Sequence, residues 1–560
     1  MVPRAAPHRA LRGAHPHRAR SRRCASTRRR TTCARAARPC IPPFARRADA
    51  AAQAPTLTAQ VGTVLLPALL GRELASVARR HHKALPDGPS TERIRVWLGA
   101  LMPRVMFPGG WAAAARHAGA EPLWTGRARP YDESTLRRVA ARLDDQGASD
   151  HVAAVLRRQV DRAVRAGDDE VIGYTDMFDQ PYYTKKLAHA GPVGRLGNRL
   201  LAGTYFGLTT VRLPAGPTLF VHLSWHKPAS PLRDALEDLL DDEQRLRWWH
   251  RHVRLHVWDR GANGDAVLAW AWAMELPYLT IGRAHADLWR FHAPTRRNAL
   301  GLPIVVRPDR RLDGDANDGP WEVVVPADAK DPEERRGIRF RAGVELSEAE
   351  LSALNALYKS RWPSMENEIK ALQSRGFARN RTRRLELTTR RGADGQMGRL
   401  REREQALRSK LREARERPVS GANFARLVGA ARKVVAACAA QTKLTREETL
   451  KHARPAGGAE RLGKWLHLLG HNALTLALHR SMEPEVRAMD AATAFDLLLD
   501  RPSLTCIEER RMTMWVDALA GAADRRRQAA LIEVFNQLKL RSRGRAVVIR
   551  LRERAAKKVS

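Results

Sequence analysis

Residues 252–283 read HVRLHVWDRGANGDAVLAWAWAMELPYLTIGR. Val253, Leu255 and Val257 alternate with polar neighbours, the two-residue period of a half-buried strand. Asp259 stands where that run stops, and Gly261 and Gly264 break the chain behind it. DAVLAWAWAMEL (265–276) continues at helical spacing, and YLTI (278–281) reads as a second strand. A carboxylate at the mouth of a central strand is costly to desolvate unless it is hydrogen-bonded, paired or bound to a cation. Asp259 therefore needs a partner, and the rest of the chain must supply it.

Working outward, VIGYT (171–175), GTYFGLTTVRL (203–213) and PTLFVHLSW (217–225) read as strands, the last two joined at PAG as in a hairpin. SPLRDALEDLLDDEQRLRWW (230–249) has Leu232, Leu236, Leu239 and Leu240 in helical register, with Ser230 as its cap. The order is three strands, helix, strand, helix, strand: an α/β domain with a mixed sheet, not a simple βαβ repeat. Residues 297–345 are polar and broken by turn residues, with WEVVV and IRFRA as strand-like pieces, a β-rich insertion. Helix returns at SEAELSALNALY, where Ser347 and Glu350 have capping-box spacing. A second helix, SMENEIKALQ, follows the Trp-Pro break.

Three carboxylates fall at element boundaries in this region. Asp176 follows the first strand in VIGYTDMFDQPYYTKK, Asp259 ends the fourth in HVWDRG, and Glu366 opens a helix in RWPSMENEIKAL. Each has a neighbour of the same chemistry. Asp179 lies three residues past Asp176, but Asp176 directly ends the strand. Asp265 reads as a helix-start acid near the macrodipole. Glu368 points away from Glu366 on a helix, and periodicity does not choose between them.

The chain has 560 residues, too many for one small core, and 99 Lys plus Arg against 60 Asp plus Glu, a net +39. Such an excess points to a polyanionic partner, nucleic acid first, through phosphate neutralisation. No run of 18 apolar residues offers a membrane span. Five sparse cysteines (Cys24, Cys33, Cys40, Cys438, Cys506) imply neither a disulfide framework nor a zinc finger. The expectation is a cytoplasmic protein without a membrane partner.

Residues 1–55 hold 14 Arg, no Lys and one acid, Asp49. They read as a disordered arm touching nucleic acid, an upstream extension of a GC-rich reading frame, or an Arg- and Ser-rich targeting peptide. Residues 56–165 are patterned as helices; STLRRVAARL puts Leu136, Val139, Ala140 and Leu143 on one face and arginines on the other. That region is a possible DNA-binding domain. Residues 377–455 form a basic helical region; from Arg375 to Arg417 there are 15 basic and 6 acidic residues. Residues 456–560 read as helical with a final strand, RAVVIRLRE. GGAERLGK (457–464) has Walker-like glycines, but Trp465 stands where Ser or Thr is needed, and no strand precedes it. His250, His252 and His256 lack a cysteine to complete a zinc set, and the tryptophans between 248 and 289 read as core.

At the three acids the sequence resembles the DDE transposases of bacterial insertion sequences, in the branch with a Tyr-Arg-Glu-Lys signature around the third acid. YTDMFDQPYY carries the first Asp, WDRGANGDAVLAWAWAMELPYLTIGR the second and YKSRWPSMENEIKALQ the third. The resemblance covers roughly 168–376 and implies a ribonuclease H-like catalytic domain at 166–376, with strands one and four adjacent. It implies Asp176, Asp259 and Glu366 as catalytic, metal-binding acids holding Mg²⁺ or Mn²⁺. Tyr358 and Arg361 match the signature residues that hold DNA. One extra residue separates Arg361 from Glu366, and Gln373 stands where the signature Lys should fall, with Lys370 and Arg375 nearby; Lys370 is the DNA contact expected there. The implied partners are double-stranded DNA, as terminal inverted repeats and target, and further copies of the chain, a homodimer or larger assembly. A transposase-derived DNA-binding protein without catalysis and a metal-dependent, structure-specific nuclease are the alternatives.

Overall fold

The structure, a computed structural model, describes residues 56–82, 89–107, 131–165, 170–182, 193–196, 199–214, 216–226, 230–282, 294–312, 319–326, 337–377, 385–388, 393–416, 428–435, 437–438, 452–455 and 458–552. The arginine-rich arm and the pair Lys185 and Lys186 lie outside the described residues. Its strands, numbered along the chain, begin with β1 (Thr56–Gln60), β2 (Val171–Tyr182), β3 (Val193–Leu196), β4 (Arg199–Arg212), β5 (Thr218–His226) and β6 (Val253–Trp258). They continue with β7 (Tyr278–Ile281), β8 (Arg296–Arg297), β9 (Pro303–Pro308), β10 (Trp321–Pro326) and β11 (Gly337–Ala342). After these come β12 (Leu385–Thr388), β13 (His452–Pro455), β14 (Pro502–Ile507), β15 (Arg511–Asp517), β16 (Arg541–Ser542) and β17 (Arg545–Arg552).

The chain is mixed α/β, built on a large mixed sheet flanked by helices. The sheet runs β3-β4-β2-β6-β7-β11-β10-β9-β8, and β5 also pairs with β4. β6 lies at its centre, parallel to β2 on one side and to β7 on the other. That position explains its apolar alternation: Val253, Leu255 and Val257 are buried, and so is Trp258. The helix Asp265–Ala273 carries the chain from β6 across to β7. Long β2 turns back through β4 in antiparallel register, and Gly207 on β4 is there for space. A Cβ at Gly207 would stand 2.5 Å from Ala235 on the helix Leu232–Leu240, so this helix can lie on the sheet only over a glycine.

Several sequence expectations need correction. β2 does not stop at Asp176 but continues to Tyr182, because β4 goes on pairing with it. The 230–249 helix is two helices, Leu232–Leu240 and Glu243–His252, since Asp242 caps the second by accepting from the Arg245 amide at 3.0 Å. Ser230 does not cap the first; Pro231 occupies that position. The insertion holds β9 and the short β8 besides the two expected strands, and β11 pairs with β7, so it extends the main sheet. β9 escaped notice because a proline bounds it at each end. Beyond 456 there are β14 and β15 as well as the expected last strand, and β1 adds to the same five-stranded sheet. Their apolar alternation is hidden by frequent Arg and Thr.

The N-terminal and C-terminal stretches are packed together. Helix Gly458–His479 lies against helices Thr91–Met106, Glu133–Asp145 and Ala148–Arg165, and against β5. β5 bonds to β4 alone in the sheet, and the Asn472 side chain serves its other edge. The Phe220 amide donates to Asn472 Oδ1 at 2.9 Å and the Asn472 amide donates to the Phe220 carbonyl at 2.8 Å. At Phe220 the edge strand's backbone N–H and C=O are thus satisfied by a side chain inside the core. Lys464, from the Walker-like run, is fully buried, pairing with Glu460 at 3.1 Å and bonding to the Phe377 carbonyl. Among the described residues, no single helix is long and apolar enough to cross a membrane.

Candidate active site

Register brings the first two acids together. Parallel pairing of β2 with β6 ends at Thr175 opposite Trp258, so Asp176 and Asp259 are the next residue on each strand. Two carboxylates thus leave adjacent central strands at the same level. Below them the strands are tied by side chains as well. Thr175 Oγ1 lies 2.8 Å from His256 Nε2 and 2.9 Å from Thr209 Oγ1, all three buried. Burial alone pushes His256 well below the usual histidine range, so the ring stays neutral and serves as a hydrogen-bonding core residue.

The third acid arrives on a helical segment laid over the same strands. Ser347 and Glu350 form the expected capping box at its start. The chain runs through helix Leu354–Lys359, then a π turn at Trp362–Glu366, then helix Asn367–Ser374. The Trp-Pro pair therefore lies inside a continuous helical run instead of breaking it. Three contacts seat the segment on the sheet. Tyr174 Oη lies 2.8 Å from Ser360 Oγ, Thr210 Oγ1 donates to the Ser364 carbonyl at 3.2 Å, and Met365 is fully buried.

The π turn accounts for the extra residue between Arg361 and Glu366. In an α-helix a five-residue step overshoots a full turn by about 140° and would put the two on different faces. The i→i+5 pattern of a π turn absorbs one residue and returns them to one side. The Asn367 amide bonding back to the Trp362 carbonyl is that pattern.

All three acids then meet one guanidinium. Arg361 Nη1 is 2.8 Å from Asp176 Oδ2, and Nη2 is 2.7 Å from Glu366 Oε1 and 3.3 Å from Asp259 Oδ1. The Arg361 side chain is 11% exposed, Asp176 20% and Glu366 21%, whereas Asp259 at 44% forms the open side. Burial pushes the Asp176 carboxyl up to about 6; Arg361 pulls it down, and the charges of Asp259 and Glu366 raise it again. Burial works against the charge on Arg361, but Asp176 and Asp259 outweigh it and hold the group above its ordinary value. Three carboxylates against one guanidinium leave the cluster short of positive charge.

Two of the three rival acids are engaged elsewhere. Asp265 pairs with Arg341 at 2.7 Å, and Glu368 meets His471 Nε2 at 2.9 Å. The side chain of Asp179 lies outside the described residues. Tyr358 packs edge-on against Phe340 with ring centroids 5.8 Å apart, beside Arg361; burial, then the charge on Asp259, pushes its hydroxyl up to about 12. Lys370 does not join the acids: its ammonium lies 4.5 Å from the ring centroid of the half-exposed Trp362. Sequence reasoning assigned Arg361 to DNA and missed its place among the acids. No local signal marks it, because its partners lie 185 and 102 residues upstream and five residues downstream.

Carboxylates are the donors that hard divalent cations take. Among the described residues, however, no three His, Cys, Asp or Glu side chains stand together ready to hold an ion. Around 361 the acids are instead arranged about the guanidinium, with which all three pair. Comparison with known protein families and with curated proteins finds no match.

Proposed function

We propose that the chain is a DDE transposase with a ribonuclease H-like core, cutting DNA at transposon ends and joining the freed 3′-OH to target DNA. The observation that carries the proposal is the meeting of Asp176, Asp259 and Glu366, from two adjacent strands and a covering helical segment, at one cationic position. These are the three acids at which the sequence resembles the DDE transposases. Their donor chemistry fits Mg²⁺ or Mn²⁺, and Arg361 marks where positive charge belongs. Divalent cations held there would activate the attacking oxygen and neutralise charge on the phosphodiester and the leaving oxygen.

The chain's own residues do the rest. Adjacent parallel strands fix Asp176 and Asp259 side by side, and the seat of the π turn fixes Glu366 beside them, so the backbone presents all three carboxylates to one position. The open side at Asp259 is where a phosphodiester would enter. Arg361, freed from the acids, has the planar fork that grips phosphate. Tyr358, neutral at physiological pH, can donate a hydrogen bond beside it. The excess of basic residues neutralises the remaining duplex, and two ends brought together would need at least two copies of the chain.

The test is Mg²⁺-dependent cleavage and joining on the element's own terminal repeats, comparing wild type with Asp259→Asn. Loss of both steps with DNA binding retained supports transposition. Equal activity refutes it; cutting without joining selects a nuclease, and DNA binding without cutting in wild type selects a repurposed DNA-binding protein.

A further inference from the structure

We infer that Arg361 is a cation surrogate: it closes the carboxylate cradle in the DNA-free chain and must leave before divalent cations load. The inference rests on the proposed metal chemistry of the same acids and adds the order of events. Nη2 lies between Glu366 and Asp259 while Nη1 holds Asp176, at 2.7, 3.3 and 2.8 Å. A magnesium or manganese ion would have to be held by the same carboxylate oxygens, in the space between them. That is the space the guanidinium nitrogens fill, and a dication beside a guanidinium is repelled in a partly buried site. The two cannot share the cradle.

Removal is possible because the cluster has one exposed wall, at Asp259, and because Ser360, Ser364 and Met365 also seat the segment that carries Arg361. What would draw it out is an anion that offers the fork two oxygens, and a DNA phosphate does so. Metal loading then follows substrate arrival, which protects the cell from a free, metal-charged nuclease.

The probe is Mn²⁺ alone, titrated calorimetrically into the DNA-free full chain. Arg361→Gln binds Mn²⁺ about tenfold more tightly than wild type, since a competing charge has left the site. Arg361→Lys, which keeps the charge on a shorter, non-forked group, falls between them. Lys359→Gln removes a neighbouring exposed charge that is not among the cluster's ion pairs and stays within about twofold of wild type. Adding Asp259→Asn to Arg361→Gln abolishes the gain, which locates the ion. Thermal melting supplies a second readout: at one Mn²⁺ concentration the melting temperature of Arg361→Gln rises more than that of wild type. Wild type and Arg361→Gln binding Mn²⁺ equally, both sensitive to Asp259→Asn, would overturn the surrogate while sparing the metal site. Failure of the folded Arg361→Gln chain to bind Mn²⁺ at all would overturn both.

Discussion

Arg361 and Glu366 are five residues apart and meet at 2.7 Å because a π turn lies between them. The extra residue relative to the transposase signature is thereby absorbed without displacing the acid. Deleting Pro363 should convert the turn to an i→i+4 step, keep the pair on one face and preserve Mn²⁺ binding in the Arg361→Gln background. Inserting an alanine after Pro363 should turn Glu366 away by about 100° and abolish that binding. Calorimetry on both variants checks this; equal binding would mean that helix register does not matter.

Asp176 makes stability depend on pH with a definite sign. Its carboxyl is raised from 3.8 to about 6, so between these values the folded chain keeps a proton that the unfolded chain has released. The stability contributed by that proton is complete below about pH 4 and is lost as pH rises through 6. Asp176→Asn lacks the effect, so its stability relative to wild type should climb over that window, by at most about 3 kcal/mol. Urea unfolding of both proteins at pH 4 and pH 7 measures it. A difference that does not change with pH would show that Asp176 is not held out of water.

The hydroxyl of Tyr174, 2.8 Å from Ser360, fastens the third-acid segment to the sheet. Tyr174→Phe should lose about 1 kcal/mol of stability and lower cleavage more than DNA affinity, because Glu366 loses part of its seat. Denaturant melts and cleavage rates on one preparation separate the two effects. An unchanged cleavage rate would assign the hydroxyl to stability alone.

Two neighbouring glutamates offer an internal control. Glu366→Gln should cut Mg²⁺-dependent cleavage by at least about a hundredfold, as loss of a preorganised electrostatic group does. Glu368→Gln, which alters only the contact with His471, should leave cleavage within about threefold and reduce stability modestly. Reversal of that order would move the third acid to position 368.

The fold was legible where periodicity is strong. β6 and β7 stand within a residue of where alternation puts them, and the helix between them starts at Asp265 as expected and ends three residues early, because a central strand leaves an apolar record. β9 and the C-terminal strands left a weaker one, broken by proline or interleaved with Ser, Thr and Arg. The resemblance pointed to the three acids and to Glu366 over Glu368, but the π turn that brings Glu366 to Arg361 leaves no mark in the periodicity. The ion pairs of Arg361 were out of reach for another reason. They join residues up to 185 positions apart, and only the sheet order brings those together.

Asp176, Asp259 and Glu366 are proposed to form one cation cradle. A crystal of the Arg361→Gln chain soaked in Mn²⁺ tests it most directly through anomalous scattering. The account predicts a manganese peak at ligand distance from carboxylate oxygens of all three residues. A peak bound elsewhere, or no peak among ordered acids, would contradict it.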